Sequence, residues 1–369
     1  MSARWPAALA IASLASPVPA SPSAGQARDA RIAAWTEALE LDLAAQVLRE
    51  GPVLVAPGGA LARDGEALAL VARALYRAGR ETEADELLAS AAPLPEAGAA
   101  GRAAVELARA WIALERDDLG GVRALLAGPD GAPRFPKAPE AWLYLARSFA
   151  RAGEAARAAP LLERFLELAP HHGEAPAAWY LLARAALEQG DLEAARARRE
   201  RAEAAGRWQA YYRTRRLQIR RDPDAPLPRL GLAQLWMEAE EPARAAEVLA
   251  ELARRAPGFA PGWTLLGEAR RALDDPHGAR EAYTRALELD PEERLARHNR
   301  AVLDLAAGRE ADAERDLAWL VEHAPERDPR AVNALLLLAR LADRRGEGER
   351  AEGLHADYRA RGGTEPLRP

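Results

Sequence analysis

Small and apolar side chains recur along this chain at helical spacing, and the small ones come in pairs. A small residue is followed by another twelve positions later as Ala72/Ala84, Ala108/Gly120, Ala146/Ala158, Ala183/Ala195, Ala233/Ala245, Gly267/Ala279, Ala301/Ala313 and Ala339/Ala351, with Ala33/Ala45 as a degenerate ninth pair. Leucine stands one place before the first member at Leu145, Leu182, Leu232, Leu266 and Leu338, and proline follows the second helix at Pro170, Pro257, Pro291 and Pro325. Small residues let two antiparallel helices approach closely, and proline cannot continue a helix. The pattern predicts an all-α chain of about eight to nine helical hairpins.

Successive first members of the eight strong pairs lie 36, 38, 37, 50, 34, 34 and 38 residues apart. The long step between Ala183 and Ala233 leaves room for one extra helix, expected at Trp208 to Arg221, before Asp222, Pro223 and Pro226 break the chain. A Pro/Gly-rich linker is expected at 129–139. The chain is thus expected to divide into hairpins over 30–128, further hairpins plus the connector helix over 140–222, more hairpins over 226–361 and a disordered tail at 362–369.

One copy of the repeat is complete. From Trp263 the chain reads Leu266, Gly267, Ala279, Tyr283, Ala286 and Pro291, offsets of 3, 4, 16, 20, 23 and 28. This closely resembles the tetratricopeptide consensus, and the resemblance extends from about Ala30 to Arg361. It implies a right-handed superhelical solenoid in which each hairpin buries its apolar face only by stacking on its neighbours. It also implies a concave surface built from the first helix of every hairpin, and a protein-binding rather than a catalytic role.

Composition agrees with an all-α fold. Hydrophobic residues make up 49% of the chain but aromatics only 5%, and the rows are rich in the strong helix formers Ala, Leu, Glu and Arg. With no cysteine, neither a disulfide nor a Cys-based metal site is available. All but one of the 51 basic residues are arginine, Lys137 being the exception, and the net charge of −5 gives no bulk case for nucleic acid. At the N-terminus, an apolar run from Ala7 to Ala15 follows Arg4 and leads to Val18-Pro19-Ala20, so residues 1–20 read as a cleavable signal peptide. The alternative is an Ala/Pro-rich leader on a cytoplasmic protein. No later stretch reaches about 18 uninterrupted apolar residues, so no membrane span is expected after signal removal.

Catalytic signatures are missing. Ser90 and Ser148 are outside any Gly-x-Ser-x-Gly setting, no phosphate-binding Gly loop occurs, and the six histidines form no His-Glu-x-x-His arrangement. No catalytic residue, metal or cofactor is expected; the adjacent His171 and His172 read as solvated loop residues. The basic cluster Arg213, Arg215, Arg216, Arg220 and Arg221, preceded by Trp208, Tyr211 and Tyr212, mixes the residue types of a nucleic-acid surface. The reading preferred here is an amphipathic connector with its arginines paired to neighbouring acids.

If the family geometry holds, the residue after each small slot faces the groove, which places Arg73, Arg109, Arg147 and Arg184 in file. Tyr76 and Tyr180, with Val105, Leu143, Ile112 and Leu187, flank that file one turn away. Such a file suits an acidic, partly apolar peptide; the opposing reading pairs these arginines inside the scaffold. Asn299 resembles one element of the family's carboxylate-binding set, although Thr264 and Glu268 occupy neighbouring slots and the lysines are missing. The expectation is an exported, envelope-located scaffold that binds a protein or peptide, the alternative being an accessory subunit of an enzyme or secretion complex.

Overall fold

The computed structural model describes residues 23–91, 98–129 and 131–364. The expected signal peptide lies outside these residues, as do positions 365–369 of the expected tail. The described residues form two compact units, unit 1 up to Glu203 and unit 2 from Ala204.

Unit 1 contains α1 (Ala24–Glu40), α2 (Ala44–Val55), α3 (Gly65–Arg77), α4 (Glu81–Ala91), α5 (Gly98–Glu115), α6 (Leu119–Leu126), α7 (Pro139–Arg151), α8 (Ala155–Leu168) and α9 (Ala175–Glu188). The boundary between units falls inside α10 (Leu192–Arg221). Unit 2 continues with α11 (Pro226–Glu238), α12 (Pro242–Arg255), α13 (Ala260–Ala272), α14 (Pro276–Leu289), α15 (Arg294–Ala306), α16 (Glu310–His323), α17 (Pro329–Arg345) and α18 (Gly348–Ala360). Among the described residues there is no strand, only a bridge between Ala127 and Pro133 in the segment joining α6 to α7. Each unit is an all-α array of antiparallel hairpins, as the spacing predicts. Residues 208–221 do not form a separate helix; with no strong breaker before Asp222, they prolong α10 to 30 residues.

The small pairs explain the hairpins. Ala72, Ala84, Ala146, Ala158, Ala233, Ala245, Ala301, Ala313, Ala339 and Ala351 are all buried. Gly267 shows the steric reason most clearly, because a Cβ there would lie 2.4 Å from the Tyr283 ring. Two pairs fail. Ala33 and Ala45 are exposed, and the α1/α2 hairpin packs through Trp35, Ala38, Leu39 and Val47 instead. Gly120 is exposed as well, its place in the core being taken by Val122 and Leu126.

Each turn from first to second helix passes through the left-handed region. Glycine takes that place at Gly79, Gly153, Gly190, Gly308 and Gly346, but Asp42, Asp117, Glu240 and Asp274 hold it at φ of 58° to 60°. A side chain there costs about 1–2 kcal/mol. Glu240→Gly is therefore expected to raise the stability of unit 2 by about 0.5–1 kcal/mol once glycine's extra unfolded-state freedom is counted. Urea denaturation of the two proteins measures it.

The core of unit 1 is one continuous cluster running from Trp35 through Val71, Ile112 and Phe165 to Leu182. Unit 2 instead holds a succession of smaller clusters, centred on Trp236 and Leu249, on Tyr283, on Leu317, and on Leu336 with Tyr358.

Candidate ligand-binding faces

First helices carry the residues that the spacing singles out, and their side chains differ sharply in environment. On α9, Tyr180, Arg184 and Leu187 stand on one face at i, i+4 and i+7, with Tyr180 48% and Leu187 55% exposed. The Arg184 guanidinium donates to the Ala150 carbonyl at 3.1 Å and lies 3.5 Å from Glu188. On α7, Arg147 pairs with Glu174. On α5, Arg109 donates to the Leu88 carbonyl at 2.7 Å and to Glu106 at 3.3 Å. Arg73 on α3 lies over the Trp111 ring at 5.3 Å, and its Nε is buried without a hydrogen-bond partner among the described residues. Tyr76 is half-buried, edge-on to Trp111 at 5.5 Å. Of the expected apolar flanks, Val105, Leu143 and Ile112 belong to the core rather than to a surface, whereas the same stripe on α9 is exposed.

A second set of arginines escapes the sequence reading because its acceptors are backbone atoms. Arg77, at the end of α3, donates to the Leu39 carbonyl of α1 at 2.6 Å and lies 3.6 Å from Asp42. Arg151, at the end of α7, repeats this on the Leu114 carbonyl of α5, with Asp117 at 3.5 Å. Carbonyls at a helix C-terminus lack intrahelical partners and carry negative partial charge. Each guanidinium thus staples one first helix to the open end of the preceding one.

A shallow cleft of about 220 Å³ opens between α4 and α5, lined by Asp85, Leu88, Arg109, Ile112 and Arg116 among others. Arg116 is held there by Asp85 at 2.9 Å and Glu81 at 3.2 Å. In unit 2, polar side chains form a file across three first helices. Asn299 Nδ2 donates to Glu268 Oε1 at 3.3 Å, and His298 meets Asn299 at 3.3 Å and Asn333 at 2.8 Å. Burial raises the Glu268 carboxyl above its ordinary range, a shift that the Asn299 hydrogen bond opposes. Asn299 and Glu268 were visible in the sequence as neighbouring slots; His298 and Asn333 were not.

The repeat-defining residues have structural duties. Leu266, Gly267, Ala279, Tyr283 and Ala286 are buried, and Pro291 sits just beyond α14. The Trp263 indole donates to the Pro257 carbonyl at 3.0 Å, and Trp142 does the same to Pro136 at 2.9 Å, each tying its helix to the preceding turn.

His172 is half-buried, edge-on to Phe165 at 5.3 Å, and its Nδ1 accepts the Glu174 backbone N–H at 3.1 Å. Burial holds its pKa below the ordinary 6.5, against the opposite pull of Glu140 and Glu174. Below about pH 6.5 the unfolded chain takes up a proton that the folded unit refuses, so the His172 contribution is present above that pH and is lost as pH falls. Denaturant titrations between about pH 7 and 5 should show a slope that His172→Gln flattens. Among the described residues no group of three or more His, Asp or Glu could hold a metal ion, and no helix is long and apolar enough to cross a membrane.

Models of the tetratricopeptide repeat match residues 140–172, 157–209 and 260–293. A TPR repeat-containing protein of Pseudomonas aeruginosa is 41% identical over 64 residues, 17% of this chain and 61% of that protein, so the chain spans less than two thirds of the relative's length. Among solved structures, a thermophilic TPR protein of Thermus thermophilus is similar at 22% identity and a TM-score of 0.31, over 53% of this chain and 97% of the other. PilF of Pseudomonas aeruginosa is similar at 17% and 0.32, over 58% and 88%. The C-terminal part of a TPR repeat-containing protein of Cytophaga hutchinsonii is similar at 13% and 0.37, over 70% and 96%. At such identities and scores these likenesses say nothing of function.

Proposed function

We propose that this tetratricopeptide-repeat protein is a non-catalytic scaffold that holds a protein or peptide segment in a concave groove formed by the first helices of its hairpins, and that it works in the cell envelope. The face of α9 carries the reading. Exposed Tyr180 and Leu187 flank Arg184 on a single stripe, an arrangement that suits an extended segment presenting a carboxylate between apolar side chains. Arg73, Arg109 and Arg147 continue the register, although a ligand carboxylate would have to share them with the scaffold partners described above.

A photo-cross-linking residue placed at position 180 in the native host, with position 196 on α10 as an exposed control, tests the groove. The expected result is a discrete protein adduct from position 180 that Leu187→Ala diminishes. Equal adducts from both positions would remove the assignment. Replacing Arg109 and Arg147 together by Gln should weaken binding and also lower stability by about 1–3 kcal/mol, because each gives up a charge-assisted hydrogen bond. Envelope location rests on the apolar run ending at Ala20, and intact mass from the native host should show a start near Ser21. A full-length cytoplasmic species would refute it.

A further inference from the structure

The C-terminal half of α10 is charged unlike the rest of the chain. From 204 to 221 it holds six arginines and no acid, in a protein whose net charge is −5. Earlier on the same helix the arginines are paired, Arg196 with Glu200, Arg198 with Glu163 and Arg199 with Glu203. Among the described residues, Arg207 and Arg221 near the two ends of the later half have no hydrogen-bond or ion-pair partner. Arg215 bonds Gln218 at 3.1 Å and the Tyr211 hydroxyl at 3.2 Å, with no carboxylate.

These residues share a face. Arg207, Tyr211, Thr214, Gln218 and Arg221 follow at helical spacing, bordered by Leu217 on one side and Arg215 on the other. Tyr211 is 55% and Leu217 40% exposed. The opposite face is anchored, Trp208 stacking on Tyr212 at 5.3 Å and both meeting Trp236 at 5.0 and 5.7 Å. A rigid strip about 21 Å long, basic at both ends with two apolar side chains between, is left facing outward.

We propose that this strip is a docking site for an acidic protein segment with apolar side chains among its carboxylates. Carboxylates pair with Arg207, Arg215 and Arg221, and an apolar side chain packs between Tyr211 and Leu217. Charge complementarity favours a short partner, since the remainder of the chain is net negative and repels a long polyanion. A single-stranded nucleic acid would need several free aromatic faces. Trp208 and Tyr212 are spent in the core, and Arg215 already covers Tyr211 at 4.8 Å. Two exposed apolar residues also offer too little to insert into a membrane.

Fluorescence anisotropy of a labelled peptide of alternating glutamate and phenylalanine, added to the full chain, tests the site. Binding should weaken as salt rises, fall at least about tenfold in Tyr211→Ala with Leu217→Ala, and vanish in Arg207→Glu with Arg221→Glu. All of these measurements are made in a Tyr180→Ala, Leu187→Ala background, which removes the α9 face as a competing site for the same peptide, so that they report this surface alone. Undiminished binding in the charge-reversed protein overturns the proposal. So does tighter binding of an oligodeoxythymidylate of equal charge, or of phosphatidylserine vesicles, than of the peptide.

Discussion

Replacing Arg280 and Arg309 together by alanine should destabilise unit 2 by about 3–5 kcal/mol, the cost of stranding a buried charge. The charge is Asp304 on α15, which is 0% exposed. Its Oδ1 accepts from Arg280 Nε of α14 at 2.6 Å and from Arg309 Nε, in the turn before α16, at 2.7 Å. Arg280 reaches on to Asp312 of α16 at 3.3 Å, so one carboxylate gathers three consecutive helices. The two arginines are partly solvated, with about 36% and 42% of their side chains exposed, and hydrate readily when the acid is removed. Asp304→Ala should therefore cost less than the double arginine variant, although both delete the two ion pairs to Asp304; the exposed contact of Arg280 with Asp312, lost only in the double variant, adds at most about 1 kcal/mol. Equal losses in urea denaturation would show that lost attraction, rather than a stranded carboxylate, sets the energetics. Adding Asp304→Leu to the double variant should recover most of the loss.

Tyr283→Ala should cost about 3–5 kcal/mol, the usual range for deleting a fully buried aromatic ring. Tyr283 on α14 has no exposed surface and rests directly on Gly267 of α13. The two positions are thermodynamically coupled as a result. Gly267→Ala alone should destabilise, since its Cβ would lie 2.4 Å from the ring, yet in the Tyr283→Ala background the same change should be near neutral or stabilising. A double-mutant cycle in urea gives the sign of the coupling, and strict additivity would mean the ring moves aside at no cost.

Gly267 and Tyr283 were legible in the sequence because contact between two helices at closest approach permits few residue types. Pro170, Pro257, Pro291 and Pro325 were legible for a backbone reason, and each falls just beyond its second helix. Ala33/Ala45 misled because alanine is common enough here to make the twelve-residue spacing by chance, whereas the hairpin it suggested is real and packs through Trp35. The continuity of α10 was hidden by counting repeat lengths: an excess of residues was read as another element, although nothing between Leu192 and Asp222 stops a helix. The arginine partners were illegible for a deeper reason. Arg77, Arg109, Arg151 and Arg184 bond carbonyl oxygens, which every residue possesses, so no side-chain pattern announces them.

The two units should also differ under tension. A core that is one continuous cluster, as in unit 1, resists pulling until a large block gives way at once, releasing a long length of chain in a single event. A core divided into successive small clusters, as in unit 2, yields hairpin by hairpin, and each released piece can re-dock on the neighbour that remains. Unit 2 would then behave as an extensible spring that lengthens in short reversible steps, and unit 1 as a stiff element that holds until it breaks.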